Sequence, residues 1–282
     1  YRAAVAPRPR YEGAPVLSVP GSPRDQLEPL ARQRRRLVRV LGELSDDQWH
    51  APSRCVGWSV QDVAAHLVTV NQFWTLSVRA GRSGSPTRYL EGFDPVDTPA
   101  RLVDDMRHLT PGSVLAQLAA STDELLGLLA GLDDDGWSAL AETPLGHVPV
   151  RLLASHALWD SWVHERDVVL PLGASLPREP DEVRSSLRYV CALVGAFSVL
   201  GEAEVAGTFG VEASSPDDRF VLDVDGRVSL REASPAAGSP TLCGDAVALI
   251  DALSMRVPLA GDVPAEWRRL TDAFEATFAV RS

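Results

Sequence analysis

Residues 149–170, PVRLLASHALWDSWVHERDVVL, decide how the rest of the chain is read. The stretch reads as one long helix, stopped by Pro171 and Gly173. Within it His156, Asp160 and His164 fall at i, i+4 and i+8, and Trp159, Val163 and Asp167 share their stripe. Leu152, Trp159 and Val163 turn that stripe inward, where a core-facing helix should be apolar. It carries two imidazoles and two carboxylates instead. Burying such groups without partners is costly or forces them towards neutrality. A divalent cation removes the cost, because it attracts the carboxylate and accepts imidazole lone pairs. A carboxylate and a histidine one turn apart can reach the same ion, and bundle cores host sites of this kind.

A third ligand must then come from another helix. The best candidate is His66, near the inward stripe of a helix expected from about Ser59 to Gly81, with Val63, Val70 and Phe73 as neighbours. Three protein ligands, His66, Asp160 and His164, leave an open coordination position, the usual condition of a catalytic site. The donor set suits zinc, and other first-row metals are compatible with it. The competing reading is that each buried histidine is an ordinary hydrogen-bonded core residue. Three polar residues on one stripe with His66 opposite weigh against it. Asp167 either accepts from a ligand histidine or pairs with Arg166 or Arg151 at the surface. His50, His108 and His147 sit in loop or turn contexts and are expected at the surface. Cys55, just before the second helix, either faces the site or, the favoured reading, is a passive buried thiol, and the large tryptophans are expected to be core or cavity wall.

Working outward, Leu27, Leu30, Leu37, Val38 and Leu41 mark a first helix over about 25–44. Its ARQRRRLVR run (31–39) reads as a solvated face. Ser59 and Asp62 have the spacing of a capping box. Thr98-Pro99 starts a further helical region reaching about Leu132, broken near Pro111-Gly112. LSDDQW (44–49) is echoed by LDDDGW (132–137), each before a glycine-containing turn and a histidine-bearing helix. Two similar helical hairpins would make a four-helix bundle. After Pro180 the pattern changes: a helix over 181–200, short strand-like stretches at 205–213, 219–224 and 227–232 with an Asp225-Gly226 turn, a loop over 233–240, and helices near 245–254 and 264–278. The expected fold is therefore mainly α: an extended surface arm over 1–23, a four-helix bundle over 24–174, and a smaller α+β domain over 175–282.

Composition bounds the function. The net charge of -11 and pI near 5.0 disfavour nucleic acid as a partner. No run of 18 uncharged apolar residues appears, so no membrane span is expected. No apolar leader is visible, and three sparse cysteines give no disulfide framework, so a reduced, cytoplasmic setting is expected. All 27 basic residues are arginine, a coding bias rather than a property of the site. The phosphate-loop, dinucleotide-binding, zincin and α/β-hydrolase signatures are absent.

The segments GWSVQDVAAHL (57–67) and LWDSWVHERDV (158–168) resemble the DinB-like metalloenzymes, and within them the mycothiol-dependent maleylpyruvate isomerases. The resemblance covers about residues 24–172 and extends more weakly to GDAVALIDALSMRVPLAGD (244–262). It implies that His66, Asp160 and His164 hold zinc. One departure is that the isomerases carry glutamate where this chain has Asp160. The shorter carboxylate could shift the ion or let His156 join its shell, alongside Asp167 as a supporting residue. The family also offers an arginine to its substrate, for which Arg256 is the nearest match.

The resemblance further implies a low-molecular-weight thiol, mycothiol, as co-substrate, with the metal-held thiolate rather than a protein side chain as nucleophile. Attack on a small electrophilic, acidic metabolite gives isomerisation if the thiol is expelled after bond rotation, and S-transfer if the adduct is retained. Arg54, Arg256 and Trp159 are the expected substrate contacts, in a cleft between bundle and second domain. Two other readings stay open: a metal hydrolase using metal-bound hydroxide, and a binding protein without activity. Substrate identity and oligomeric state are not legible.

Overall fold

The structure is a computed structural model; it describes residues 8–278 apart from residue 204 and the side chain of residue 24. In chain order the elements are β1 (Leu17–Ser18), α1 (Arg24–Gly42), α2 (Asp46–Trp49), α3 (Val60–Arg82), α4 (Asp97–Asp104), α5 (Pro111–Ala130) and α6 (Asp134–Ser138). There follow β2 (Leu140–Thr143), β3 (Gly146–Pro149), α7 (Val150–Val169), α8 (Pro180–Leu200), β4 (Gly207–Ser214), β5 (Asp218–Val224), β6 (Val228–Arg231), β7 (Thr241–Asp245), α9 (Ala246–Leu253) and α10 (Ala265–Phe278).

The four long helices α1, α3, α5 and α7 form the bundle, with α3 and α7 in contact along the face that carries the histidines. Caps set their starts. Ser59 accepts from the Asp62 amide while Asp62 accepts from the Ser59 amide, and Thr110 caps α5 ahead of Pro111. The sequence echo is structural: α2 is capped by Ser45 and α6 by Asp133, and each buries its tryptophan, Trp49 or Trp137.

The smaller α+β part is a mixed five-stranded sheet of order β1-β6-β5-β4-β7. The central pairs are antiparallel, and both edge strands, β1 and β7, run parallel to their neighbours. Helix α8 packs on the sheet, on α9 and α10, and on α7 of the bundle. It is long and apolar enough to cross a membrane by length and composition, but most of it is buried in the fold. One apolar cluster runs from Leu152 and Trp162 of α7 through Leu187 and Val190 to Phe220 and Leu242 of the sheet.

Three expectations need correction. Residues 1–7 of the expected arm lie outside the described residues, and the remainder is a surface feature only in part: Glu12 and Pro20 are exposed, but Val16, Leu17 and Val19 are buried, and Leu17 pairs with Val228. The arginine run is not simply solvated. Arg34 is buried, and Arg36 bridges Glu165 of α7 and Glu182 of α8 at 2.7 Å each. Strands β2, β3 and β7 had no counterpart in the sequence reading, because runs of four or five residues carry too little periodicity.

The β2-β3 hairpin matters for the site. The fully buried Glu142 accepts from Tyr11 Oη (2.8 Å), Thr87 Oγ1 (2.6 Å) and the amides of Tyr89 (2.9 Å) and Leu90 (2.7 Å). It thereby pins the segment after α3 across the mouth of the bundle. The hairpin lies directly on the end of α3 at Gly81, where a Cβ would stand 2.1 Å from the Leu140 carbonyl oxygen. Gly81→Ala is therefore expected to lower the midpoint of thermal unfolding by at least about 4 °C, equivalent to about 2 kcal/mol. Gly127→Ala, exposed on α5 with open space at its Cβ, should raise it by about 1–2 °C through helix propensity. Differential scanning calorimetry of both variants checks the pair; an unchanged midpoint for Gly81→Ala would contradict the close approach.

Candidate metal centre

His66 comes from the second turn of α3, and Asp160 and His164 from successive turns of α7. The helices bring them together although they lie about a hundred residues apart in the chain. His164 Nε2 stands 3.5 Å and His66 Nε2 3.9 Å from Asp160 Oδ1, and the two imidazole centroids are 4.9 Å apart. One ligand atom from each residue lies within 4.8 Å of the others, a span that one cation could bridge. All three side chains are almost fully buried. His66 Nδ1 and Asp160 Oδ2 are buried without a hydrogen-bond partner.

Electrostatics separates the two imidazoles. Burial holds His66 below its ordinary pKa against the pull of Asp160. Burial acts the same way on His164 but is outweighed by Cys55, Asp160 and Asp167, so this ring is held well above the usual range. Asp160 is kept well below the carboxylate range: burial opposes this, but the two histidines outweigh it.

Asp167 is fully buried and faces His164, with Oδ2 3.0 Å from Nδ1. It does not pair with Arg166, whose Nη2 is 2.7 Å from Asp251, nor with Arg151, which donates to the Val19 carbonyl. Instead Arg256 holds it with two nitrogens, Nε at 2.9 Å and Nη2 at 2.7 Å. Cys55 Sγ is 3.2 Å from the same carboxylate and 3.6 Å from His164 Nδ1. Cys55 is thus half-buried on the site rather than a passive core thiol, and Cys55, His164 and Asp167 form a second set of ligand-type atoms within 4.8 Å. Its position one residue from Arg54, whose amide donates to the Asp167 carbonyl, is a tertiary accident that sequence spacing does not encode.

His156 lines the same cavity but stands outside the cluster. Its Nδ1 is 2.9 Å from Tyr189 Oη, and burial brings its pKa down to about 4. His147 is buried rather than exposed, with Nε2 2.8 Å from the Thr87 carbonyl, whereas His50 and His108 are exposed as expected. Arg34, behind the cluster, went unrecognised. Its guanidinium is buried with no hydrogen-bond partner among the described residues. Burial lowers its pKa to about 10, opposed by Asp160 and Glu165.

The cluster opens into a cavity of about 650 Å³. Arg54, Arg256 and Trp159 are on its wall, as expected from the sequence. The arginines are already engaged, however. Arg54 Nη2 donates to Asp251 at 3.2 Å, and Arg256 Nη1 donates to the Ser254 carbonyl at 2.8 Å while its other nitrogens hold Asp167. Trp159 Nε1 donates to Ser254 Oγ at 3.0 Å.

Residues 30–169 match the family described as the mycothiol maleylpyruvate isomerase N-terminal domain. Among solved structures, the mycothiol-dependent maleylpyruvate isomerase superposes with a TM-score of 0.63 at 16% identity, covering 86% of this chain and 95% of that one. A histidine-to-alanine variant of that enzyme gives a TM-score of 0.62 over the same shares. This shows a shared fold. Two uncharacterized proteins of Mycobacterium tuberculosis, from strains CDC 1551 and H37Rv, are each 26% identical over 174 residues, 60% of this chain and 81% of theirs.

The Asp167 contacts generate a stability expectation. Asp167→Ala would leave Arg256 unpaired in a largely buried place and remove the acceptor on His164 Nδ1. The variant should lose about 3 kcal/mol in denaturant unfolding, against less than about 1 kcal/mol for Asp223→Ala, whose pair with Arg231 is exposed on the sheet. Equal losses would refute the central place given to Asp167.

Proposed function

We propose that this chain, which belongs through residues 30–169 to the mycothiol maleylpyruvate isomerase family, binds one divalent cation through His66, Asp160 and His164 and uses it with a low-molecular-weight thiol against a small electrophile. The observation that carries the reading is the convergence of two imidazoles and a carboxylate within 4.8 Å, with a ring nitrogen of His66 and an oxygen of Asp160 buried and unpartnered. Such atoms are costly unless something binds them. Two nitrogens and one hard oxygen suit zinc, and three protein ligands leave a position for an exogenous group. In Asp160 the chain carries a carboxylate one methylene shorter than the family's glutamate, and it still reaches within 3.5 Å of His164.

When bound, the cation supplies Lewis acidity that favours the anionic form of a thiol near neutral pH. The chain's own residues do the rest. Asp167 accepts from His164 Nδ1, which fixes the ring and leaves Nε2 for the cation side. Arg256 holds Asp167 in place, so the orientation of His164 depends on a residue beyond α9. Trp58 and Trp159 wall the cluster and limit water. No protein side chain is assigned as nucleophile. Mycothiol is the co-substrate that the family relationship favours. Its sulfur adds to an electrophilic carbon of the second reactant; expulsion after bond rotation completes an isomerisation, and retention completes an S-transfer. Both outcomes begin with the same addition.

Elemental analysis of the purified protein should find about one metal per chain, lost in His66→Ala and in His164→Ala while circular dichroism shows the helical fold retained. Full occupancy in both variants would remove the ligand assignment. Consumption of an electrophile should require both mycothiol and metal; turnover without thiol would instead indicate hydrolysis.

A further inference from the structure

The cavity is chemically lopsided about the cluster. On one side, towards the end of α7, lie Arg54, Cys55 and Arg256. On the other, α3 continues past His66 to Phe73 and Trp74, seven and eight residues on, or about 10–12 Å along the helix axis. α7 runs back in the opposite sense through Trp159 to His156. His156 is bonded to Tyr189, and from there α8 presents Leu193 and Phe197 at successive turns. Phe274 of α10, Leu102 of α4, and Leu90 and Phe93 of the segment pinned by Glu142 complete this side. Besides the histidines, the charged side chains on the wall among the described residues are Arg54, Arg256 and Asp160. None belongs to the half lined by Phe73 and Phe197. Of the polar groups there, His156 is bonded to Tyr189 and Trp159 to Ser254, while Trp74 Nε1 is buried without a partner among the described residues.

We infer that the candidate centre divides the cavity into a polar chamber for the hydrophilic thiol and an apolar chamber for the second reactant, which is an electrophile with a hydrocarbon or aromatic body. This rests on the proposed function and departs from the acidic metabolite expected from sequence. A small dicarboxylate would need a cation at each end; the apolar half offers none among the described residues, and the unpartnered indole N–H of Trp74 there is a neutral donor that cannot balance a carboxylate's charge. A polar thiol gains little from contact with that half, whereas an aryl or alkyl body gains the transfer free energy of its whole surface. A volume of about 650 Å³ suits a body of this kind together with the reacting end of the thiol. For a neutral epoxide the transfer balances without a further reagent. The sulfur forms a bond to a ring carbon, that carbon's bond to oxygen breaks with its electron pair going to oxygen, and the thiol's proton ends on that oxygen as a hydroxyl.

The test uses full-length metal-loaded protein and two unreactive probes, benzylacetone and maleate, titrated by calorimetry. Benzylacetone should bind at least about tenfold more tightly than maleate. Phe93→Asp and Leu102→Asp, both at the solvent-facing rim, should each weaken benzylacetone by about tenfold or more while metal content and mycothiol affinity stay as in the parent protein. With mycothiol present, styrene oxide should be consumed and maleylpyruvate turned over more slowly. Maleate binding as tightly as benzylacetone, or rim aspartates without effect, would overturn the inference. Loss of the metal or of thiol binding in the parent protein would instead sink the proposed function, and the benzylacetone titration of the metal-free protein would still decide whether the apolar chamber takes such a body.

Discussion

A single buried carboxylate joins the parts of this molecule. Asp167 has no exposed surface, yet it meets an imidazole from its own helix, a thiol from the loop before α3, and a guanidinium from the segment after α9. An ionised carboxylate can remain in such a place only while it is paired and hydrogen-bonded. The need is mutual, because the largely buried guanidinium of Arg256 and Nδ1 of His164 find their carboxylate partner in Asp167. The neighbouring carboxylate Asp251 repeats the device with Arg54 and Arg166. Two acidic groups thus hold three arginines, and through them the α+β part is seated on the bundle as one wall of the cavity.

This arrangement governs what the site can do. With His164 tied at Nδ1, its Nε2 is presented to Asp160 and His66 without rotational freedom. The arginines nearest the cluster spend their hydrogen bonds on the protein, so they position neighbours more than they attract ligands. Arg34 adds a positive charge on the far side of Asp160, with burial depressing its pKa and no partner to compensate. The Asp160 carboxylate therefore lies between groups that favour its ionised form.

The legible part of the fold was that which repeats. Helices α1, α3, α7 and α8 are long enough for apolar periodicity to show, and the capping box of α3 stands in the sequence at Ser59 and Asp62. The convergence of His66 with Asp160 and His164 was also legible, because one helix face carried polar groups where an apolar face was due. What stayed hidden was set by pairing across long sequence separations. Glu142 drew no reading from the sequence, because its role exists only once its four donors are assembled around it. Arg34 and Arg36 read as part of a basic face, although their helix is covered on several sides. Cys55 and Arg256 gained their places from a loop and a turn, for which no periodicity exists. The resemblance pointed to Arg256 as a substrate contact; the carboxylate it holds came from the fold.

The edge strand β1 has a consequence for how the molecule is made. Leu17 lies beside Val228, so β1 finds its partner only after the whole bundle that lies between them in the chain has been synthesised. The bundle can assemble in the meantime, but the apolar residues Val16, Leu17 and Val19 must wait uncovered. When β1 docks parallel to β6, it covers what would otherwise be a bare sheet edge, open to pairing with another chain. The same step joins segments about two hundred residues apart in one sheet, so a nascent chain halted before β6 would carry an uncovered apolar segment, a natural handle for chaperone capture.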